Sequence, residues 1–184
     1  MPAGLAVTGF IPSSVTGRKP DVNLPGNSYT VVNGGFNISN NRAIGTAVGT
    51  NDAVIDTGLS DATISAQMYA PTSAGGAGLI FRETDASNYW LAQWDVGGGA
   101  FTLFKRVAGT PTTLCTTGIG SALVSAGAGR EIPIEVLITG SSIRVLLHGV
   151  SICTVTDSFN STATKHGINL FGTTATIDDL KIQP

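Results

Sequence analysis

The chain reads as an all-β protein, a two-sheet antiparallel jelly-roll sandwich over residues 29–184 entered through an extended N-terminal arm over residues 1–28. Three observations predict this. β-favouring runs recur roughly every 8 to 14 residues from Tyr29 onward, with Gly, Asn, Asp and Ser between them. Ala62, Ile64, Ala66 and Met68 alternate with polar residues, as do Ile132, Ile134, Val136 and Ile138, so each run has one core face and one wet face. About a dozen such strands without a solenoid or propeller repeat must close as two packed sheets to protect their edges.

The arm carries four of the eight prolines, Pro2, Pro12, Pro20 and Pro25, which makes regular strand pairing unfavourable there. Its apolar residues Leu5, Val7, Phe10, Ile11 and Val15 would seek a surface. Tyr29–Val32, Phe36–Ile38 and Arg42–Ile44 open the domain, joined by Asn33-Gly34-Gly35 and Ser39-Asn40-Asn41, and Ala53–Asp56 and Ala62–Tyr69 follow. Gly78–Thr84, Asn88–Asp95 and Phe101–Arg106 form three consecutive antiparallel strands, with Asp85–Asn88 and Asp95–Gly99 supplying the backbone angles of the reversals. Gly140-Ser141 turns Ile132–Ile138 into Ile143–His148, and Val150–Val155, Gly167–Phe171 and Ala175–Ile182 complete the set. Ser121–Gly129 is the one stretch that resembles a helix, and its glycines argue against one.

Composition excludes several classes of function. With 10 basic and 12 acidic residues there is no basic stripe to neutralise phosphates, so nucleic acid is not an expected partner. Apolar runs are short and broken by Gly, Thr and Ser, far from the ~20 residues of a spanning helix, so neither is a membrane. Met1–Pro12 has no basic start before its apolar stretch and does not read as a secretory signal. Only 12% of residues are charged, a surface of low self-repulsion suited to standing against copies of itself or a larger assembly. Cys115 and Cys153 read as two buried thiols, with a bridge between neighbouring strands as the alternative.

The residues allow little chemistry beyond binding. Glu131 and Glu135 flank Pro133 on the solvent face of a strand, and Glu83 beside Arg82 reads as a surface ion pair. His148 and His166 read as surface or turn residues, and no Gly-x-Ser-x-Gly elbow is present. Trp90 and Trp94 lie on one face of a strand with Ala92 between them; with Arg82 and Asn88 they make a candidate carbohydrate platform, against the reading that they are core.

The order Gly78-Leu79-Ile80-Phe81-Arg82, Asn88-Tyr89-Trp90, Phe101-Thr102-Leu103-Phe104-Lys105, Ile143–Gly149 and Ala175–Ile182 resembles the concanavalin A-like lectin/glucanase sandwich, in its laminin-G-like branch. The opening Tyr29–Ala43 resembles the start of such domains in tailed-bacteriophage virion proteins, although this chain has Tyr29 where Trp is usual and lacks a Phe-rich stretch at Arg18–Leu24. A glucanase of this kind would need two Glu and an Asp alternating on one strand, a pattern that the three Glu here do not make. The resemblance also implies a possible structural Ca²⁺ between Asp21 and Asp178 or Asp179; the alternative is an acidic strand end that discourages aggregation.

Taken together these features lead to the expectation of a non-enzymatic virion structural protein. It would be a capsid decoration protein on the virion surface, assembled in the host cytoplasm, a homo-oligomer expected as a trimer, held to a major capsid protein or other virion protein. Leu5, Val7, Phe10 and Ile11 would anchor it by strand addition. The alternative is a phage tail or adhesion component, or a carbohydrate-binding module with a glycan as partner.

Overall fold

A computed structural model describes residues 28–69, 75–96, 99–118, 129 and 131–184. The described residues form fourteen strands in two seven-stranded antiparallel sheets. Sheet A runs in the order β1 (Thr30–Asn33), β4 (Thr50–Asp56), β13 (Lys165–Phe171), β6 (Gly76–Asp85), β7 (Asn88–Asp95), β8 (Ala100–Val107), β9 (Thr110–Gly118). Sheet B runs β12 (Val150–Thr156), β11 (Ser142–Leu147), β10 (Glu131–Thr139), β5 (Ala62–Tyr69), β14 (Thr176–Gln183), β3 (Arg42–Gly45), β2 (Phe36–Ser39). The all-β sandwich is therefore as expected from the alternation, and among the described residues no helix is long and apolar enough to cross a membrane. The expected arm and its residues Leu5, Val7, Phe10, Ile11 and Asp21 lie outside the described residues, as does most of Ser121–Gly129.

Turn chemistry sets the connections. Asn40 and Asn41 both have positive φ, 50° and 62°, the two-residue turn that matches the twist of the β2–β3 hairpin. Between β6 and β7 the Asp85 Oδ1 accepts from the Ser87 amide at 2.8 Å and from Asn88 Nδ2 at 3.0 Å. The Asn88 Oδ1 in turn accepts from the Ala108 amide at 2.9 Å. Asn88 is thus the fastener of two neighbouring turns.

The core lies between the sheets. From β7 it takes Trp90, Ala92 and Trp94, from β6 Ala77, Leu79 and Phe81, and from β5 and β10 the alternating residues singled out above. Trp90 and Trp94 have no exposed surface, so the expected platform is corrected: both rings point between the sheets. Trp90 stacks on Phe81 at 5.9 Å between ring centroids and donates its indole N–H to the Phe159 carbonyl at 3.0 Å.

The expectation of two buried thiols is also corrected. Cys115 and Cys153 form a disulfide, and it joins β9 and β12, edge strands of opposite sheets, rather than neighbours within one sheet. Sequence spacing carries no sign of this because the pair meets only once the sheets are stacked.

Candidate functional site

The outer face of sheet A carries a row in register across six strands, polar at every position but a glycine. Asn33, Asp52, Asn169, Gly78, Gln93 and Thr102 stand side by side on β1, β4, β13, β6, β7 and β8. Asn33 Nδ2 donates to one Asp52 oxygen at 2.8 Å and Asn169 Nδ2 to the other at 2.6 Å. The Asn169 Oδ1 then accepts from Gln93 Nε2 at 2.7 Å, across the side-chain-free Gly78. Burial pushes the Asp52 carboxyl up, and the hydrogen bonds from Asn169 and Asn33 pull it down. A buried polar row with its partners in place is rigid, so Gln93 is held in one orientation.

One row further, at the end of the sheet, Phe171, Gly76 and Asp95 stand side by side on β13, β6 and β7. With Gln93 they line an open hollow of about 140 Å³. Phe171 is 46% exposed, one of only four large hydrophobic side chains so presented among the described residues. Gly76 forms the floor: a Cβ there would lie 2.4 Å from the Trp94 carbonyl oxygen, so no larger residue fits without moving backbone. The hollow therefore combines an aromatic face, a carboxylate and an amide around a bare floor. Gln93 has spent one amide hydrogen on Asn169, and its carbonyl oxygen is left to accept from a ligand hydroxyl.

The opposite end of this face is different in kind. Val54, Ile80, Tyr89 and Leu91 form a second apolar cluster, with Val32 and Phe104 packed against it. Beyond it Asp56, Lys165 and Glu83 stand side by side on β4, β13 and β6 and line, with Ser28, Thr30, Val32 and Val54, a hollow of about 320 Å³. Glu83 is 4% exposed, not the surface partner of Arg82 that adjacency suggested. Burial pushes its carboxyl up, opposed by Lys165, and one carboxylate oxygen is buried without a partner.

Arg82, expected at a glycan, is fully buried and serves the fold. It sits at an irregularity of β6 with φ 49° and turns to the end of the sandwich. There Nη2 reaches Asp61 at 3.1 Å and the Gly140 carbonyl at 2.6 Å, and Nε reaches the Ser60 carbonyl at 3.1 Å. His166 is fully buried beside it, correcting the surface reading, whereas His148 is an exposed turn residue as expected. The His166 Nδ1 accepts from the Arg82 amide at 3.3 Å while its Nε2 contacts the Leu59 carbonyl at 2.7 Å, which the neutral ring with a proton on Nε2 satisfies. Burial, with the Arg82 charge adding to it, lowers His166 to about 4.

The unfolded imidazole takes a proton below about pH 6.5 and the folded one only below about 4, so this stabilisation is complete above that range and lost as pH falls through it. The expected loss between pH 7 and 4 is about 3 kcal/mol in urea unfolding. An unchanged slope in His166→Gln would remove His166 as its cause.

The acidic pair of the last strand builds a bulge. Asp179 has φ 51°, its amide donates to Asp178 Oδ1 at 2.8 Å, and the pairing of β14 with β5 shifts between Asp178 and Lys181. Burial, and the neighbouring Asp179 charge after it, push Asp178 up. Among the described residues no three His, Cys, Asp or Glu side chains gather as a metal site, and Asp21 lies outside them.

Neither family models nor curated proteins match this chain. Solved structures do. The chain is similar to the carbohydrate binding module CBM66 from Bacillus subtilis, with TM-score 0.73 and 19% identity over 85% of this chain and 95% of that one. It is also similar to a β-glucanase of Bacillus licheniformis, TM-score 0.60 and 9% identity over 96% and 97% of the two chains. A third neighbour is the galectin LEC-6 of Caenorhabditis elegans, TM-score 0.53 and 10% identity over 66% and 81%. At these identities the likeness establishes the fold, a concanavalin A-like jelly roll.

Sequence reasoning missed the hollow at Phe171. Its signal was present in Gly167–Phe171, where alternation sets Gly167, Asn169 and Phe171 on one face against Ile168 and Leu170 on the other. A terminal Phe on the polar face of a strand is the informative departure.

Proposed function

We propose that the protein is a glycan-binding module that holds one sugar unit between Phe171 and Asp95 on the outer face of sheet A. The observation that carries this reading is the exposed Phe171 ring beside a glycine floor, with Gln93 fixed by a buried polar row. An aromatic ring offers an apolar face to the C–H side of a pyranose or furanose, and the amide and carboxylate accept from its hydroxyls. The small hollow suits a chain end or a side branch rather than a stretch of polymer. Similarity to a carbohydrate binding module and a galectin supports the same reading.

Among the hydrolase-like neighbours the chemistry is catalytic, and the arrangement here does not favour it. Asp52 and Glu83 stand four residues apart along the strands and two strands apart across them, about 16 Å between backbones, against roughly 5 to 9.5 Å for a glycosidase pair. Asp56 is nearer to Glu83, but its Oδ1 is held by Thr164 and the Gly58 amide, and Lys165 stands between the two carboxylates. We therefore read the module as non-catalytic. The capsid-decoration expectation rested on the arm and on the likeness of Tyr29–Ala43 to phage proteins, and the neighbours lend it no support. A place on a virion surface is carried by that likeness alone.

Screening the protein against a glycan array, followed by calorimetry on the strongest ligand, tests this. Phe171→Ala is expected to weaken binding at least about tenfold, about 1.4 kcal/mol, with the melting temperature unchanged because the ring is half exposed. Equal affinity in the variant, or no ligand at all, would end the reading.

A further inference from the structure

We infer that the hollow at Arg42, Tyr69 and Thr176 on the outer face of sheet B is a second binding site, and that it takes the acetamido group of an N-acetylated amino sugar. It lies on the sheet opposite the Phe171 hollow and does not depend on the glycan reading made there.

Cross-strand register assembles the site. Glu131, Tyr69, Thr176 and Ile44 stand side by side on β10, β5, β14 and β3, a row about 14 Å across. Their chain neighbours Ile132, Met68, Ile177 and Ala43 fill the core, so the row faces outward. With Arg42 and Asn40 it lines a hollow of about 370 Å³, against about 140 Å³ at Phe171. The larger volume falls within the roughly 300 to 1,000 Å³ of small-molecule sites, room for a whole sugar ring with a substituent.

Arg42 is held from two sides. Its Nη2 pairs with the Glu131 carboxylate, and its guanidinium lies over the Tyr69 ring, 5.6 Å from the centroid. The planar fork then fixes the direction of Nη1. Nη1 has no hydrogen-bond partner among the described residues, and neither has the Thr176 Oγ1. Thr176 as a whole is only 9% exposed. Buried polar atoms in native proteins are paired almost without exception, so two orphans on the wall of one hollow point to an acceptor that enters it. The Arg42 and Glu131 side chains around them remain 26% and 50% exposed, so a small side-chain shift of these groups admits the ligand.

The charges around Arg42 select the kind of acceptor. Arg42 pairs with Glu131 and its charge also acts on Asp178, so a ligand carboxylate would be the third on one guanidinium. A neutral carbonyl oxygen accepts from Nη1 and Oγ1 without that repulsion. The remaining walls fit the rest of an acetamido group. Ile44 offers an apolar surface to its methyl, and the second Glu131 oxygen accepts from its N–H. Asn40 and the Tyr69 hydroxyl are left for the hydroxyls of the sugar ring.

Titration of the full chain with N-acetylglucosamine and N-acetylgalactosamine, followed by saturation-transfer NMR, tests this. At least one is expected to bind, with the strongest transfer to the acetyl methyl protons and with glucose and glucuronic acid at least about tenfold weaker. Failure of both amino sugars, or tighter binding of glucuronic acid, would overturn the proposal. Thr176→Val replaces the orphaned hydroxyl by a methyl of the same shape. Affinity is expected to fall at least about threefold while the melting temperature holds or rises, because an unpaired buried group has been removed. A lowered melting temperature with unchanged affinity would assign Thr176 to the fold alone and overturn the site. Phe171→Ala is expected to leave the acetyl signal and its affinity unchanged. Loss of that signal in Phe171→Ala, with its retention in Thr176→Val, would move the acetamido group to the other hollow and overturn this one, so each site can fail alone.

Discussion

Opening the Cys115–Cys153 bridge, by Cys115→Ser with Cys153→Ser or by reductant, is expected to lower the unfolding free energy by about 4 kcal/mol. The bridge closes 38 residues of chain, and the loss of that constraint on the unfolded ensemble gives this figure in the chain-entropy account. The position of the bridge makes the effect specific. β9 and β12 are the edges of sheets A and B, where each strand has one hydrogen-bonded neighbour and where a sandwich opens first. Urea unfolding of the two forms reads the difference, and hydrogen exchange localises it: amides of β9 and β12 should lose protection before those of β6 and β13. A loss below about 1 kcal/mol would mean that packing at this edge carries the stability without the bridge.

Trp90→Ala is expected to cost about 3 to 5 kcal/mol, the range for removing a large aromatic from a packed core. The ring has no exposed surface, stacks on Phe81, leans on Phe159 with 6.3 Å between centroids, and lies beneath the Lys105 ammonium at 5.8 Å. Lys105 is itself paired with Asp157, so the cation is fixed in place. Removal leaves a cavity and an unpaired Phe159 carbonyl together, two penalties of different kinds. Trp90→Phe keeps most of the volume and should cost less than half as much. The decisive comparison is with binding: per folded molecule Trp90→Phe should bind a glycan like the unaltered protein, whereas Phe171→Ala should not. The opposite result would return the site to the tryptophan strand.

The alternation of Ala62–Met68 and Ile132–Ile138, the turns at Asn40-Asn41 and Gly140, and the run of hairpins from Gly78 to Arg106 all follow from local rules, and they determined an antiparallel sandwich from sequence alone. Local rules end where two faces of one strand are both buried. Tyr89 and Leu91 are as inaccessible as Trp90 and Trp94, so periodicity on β7 names two faces without saying which is the core. Only the stacking of sheet B on sheet A decided it, and with it the retreat of both tryptophans from solvent. The same stacking brought Cys115 to Cys153, turned Arg82 inward to Asp61 and the Gly140 carbonyl, and closed His166 from water. The candidate site shows the division most plainly. Gly76, Gln93 and Asp95 come from the consecutive strands β6 and β7 and Phe171 from the distant β13, and their meeting depends on cross-strand register, a property of pairing between segments that no single segment encodes.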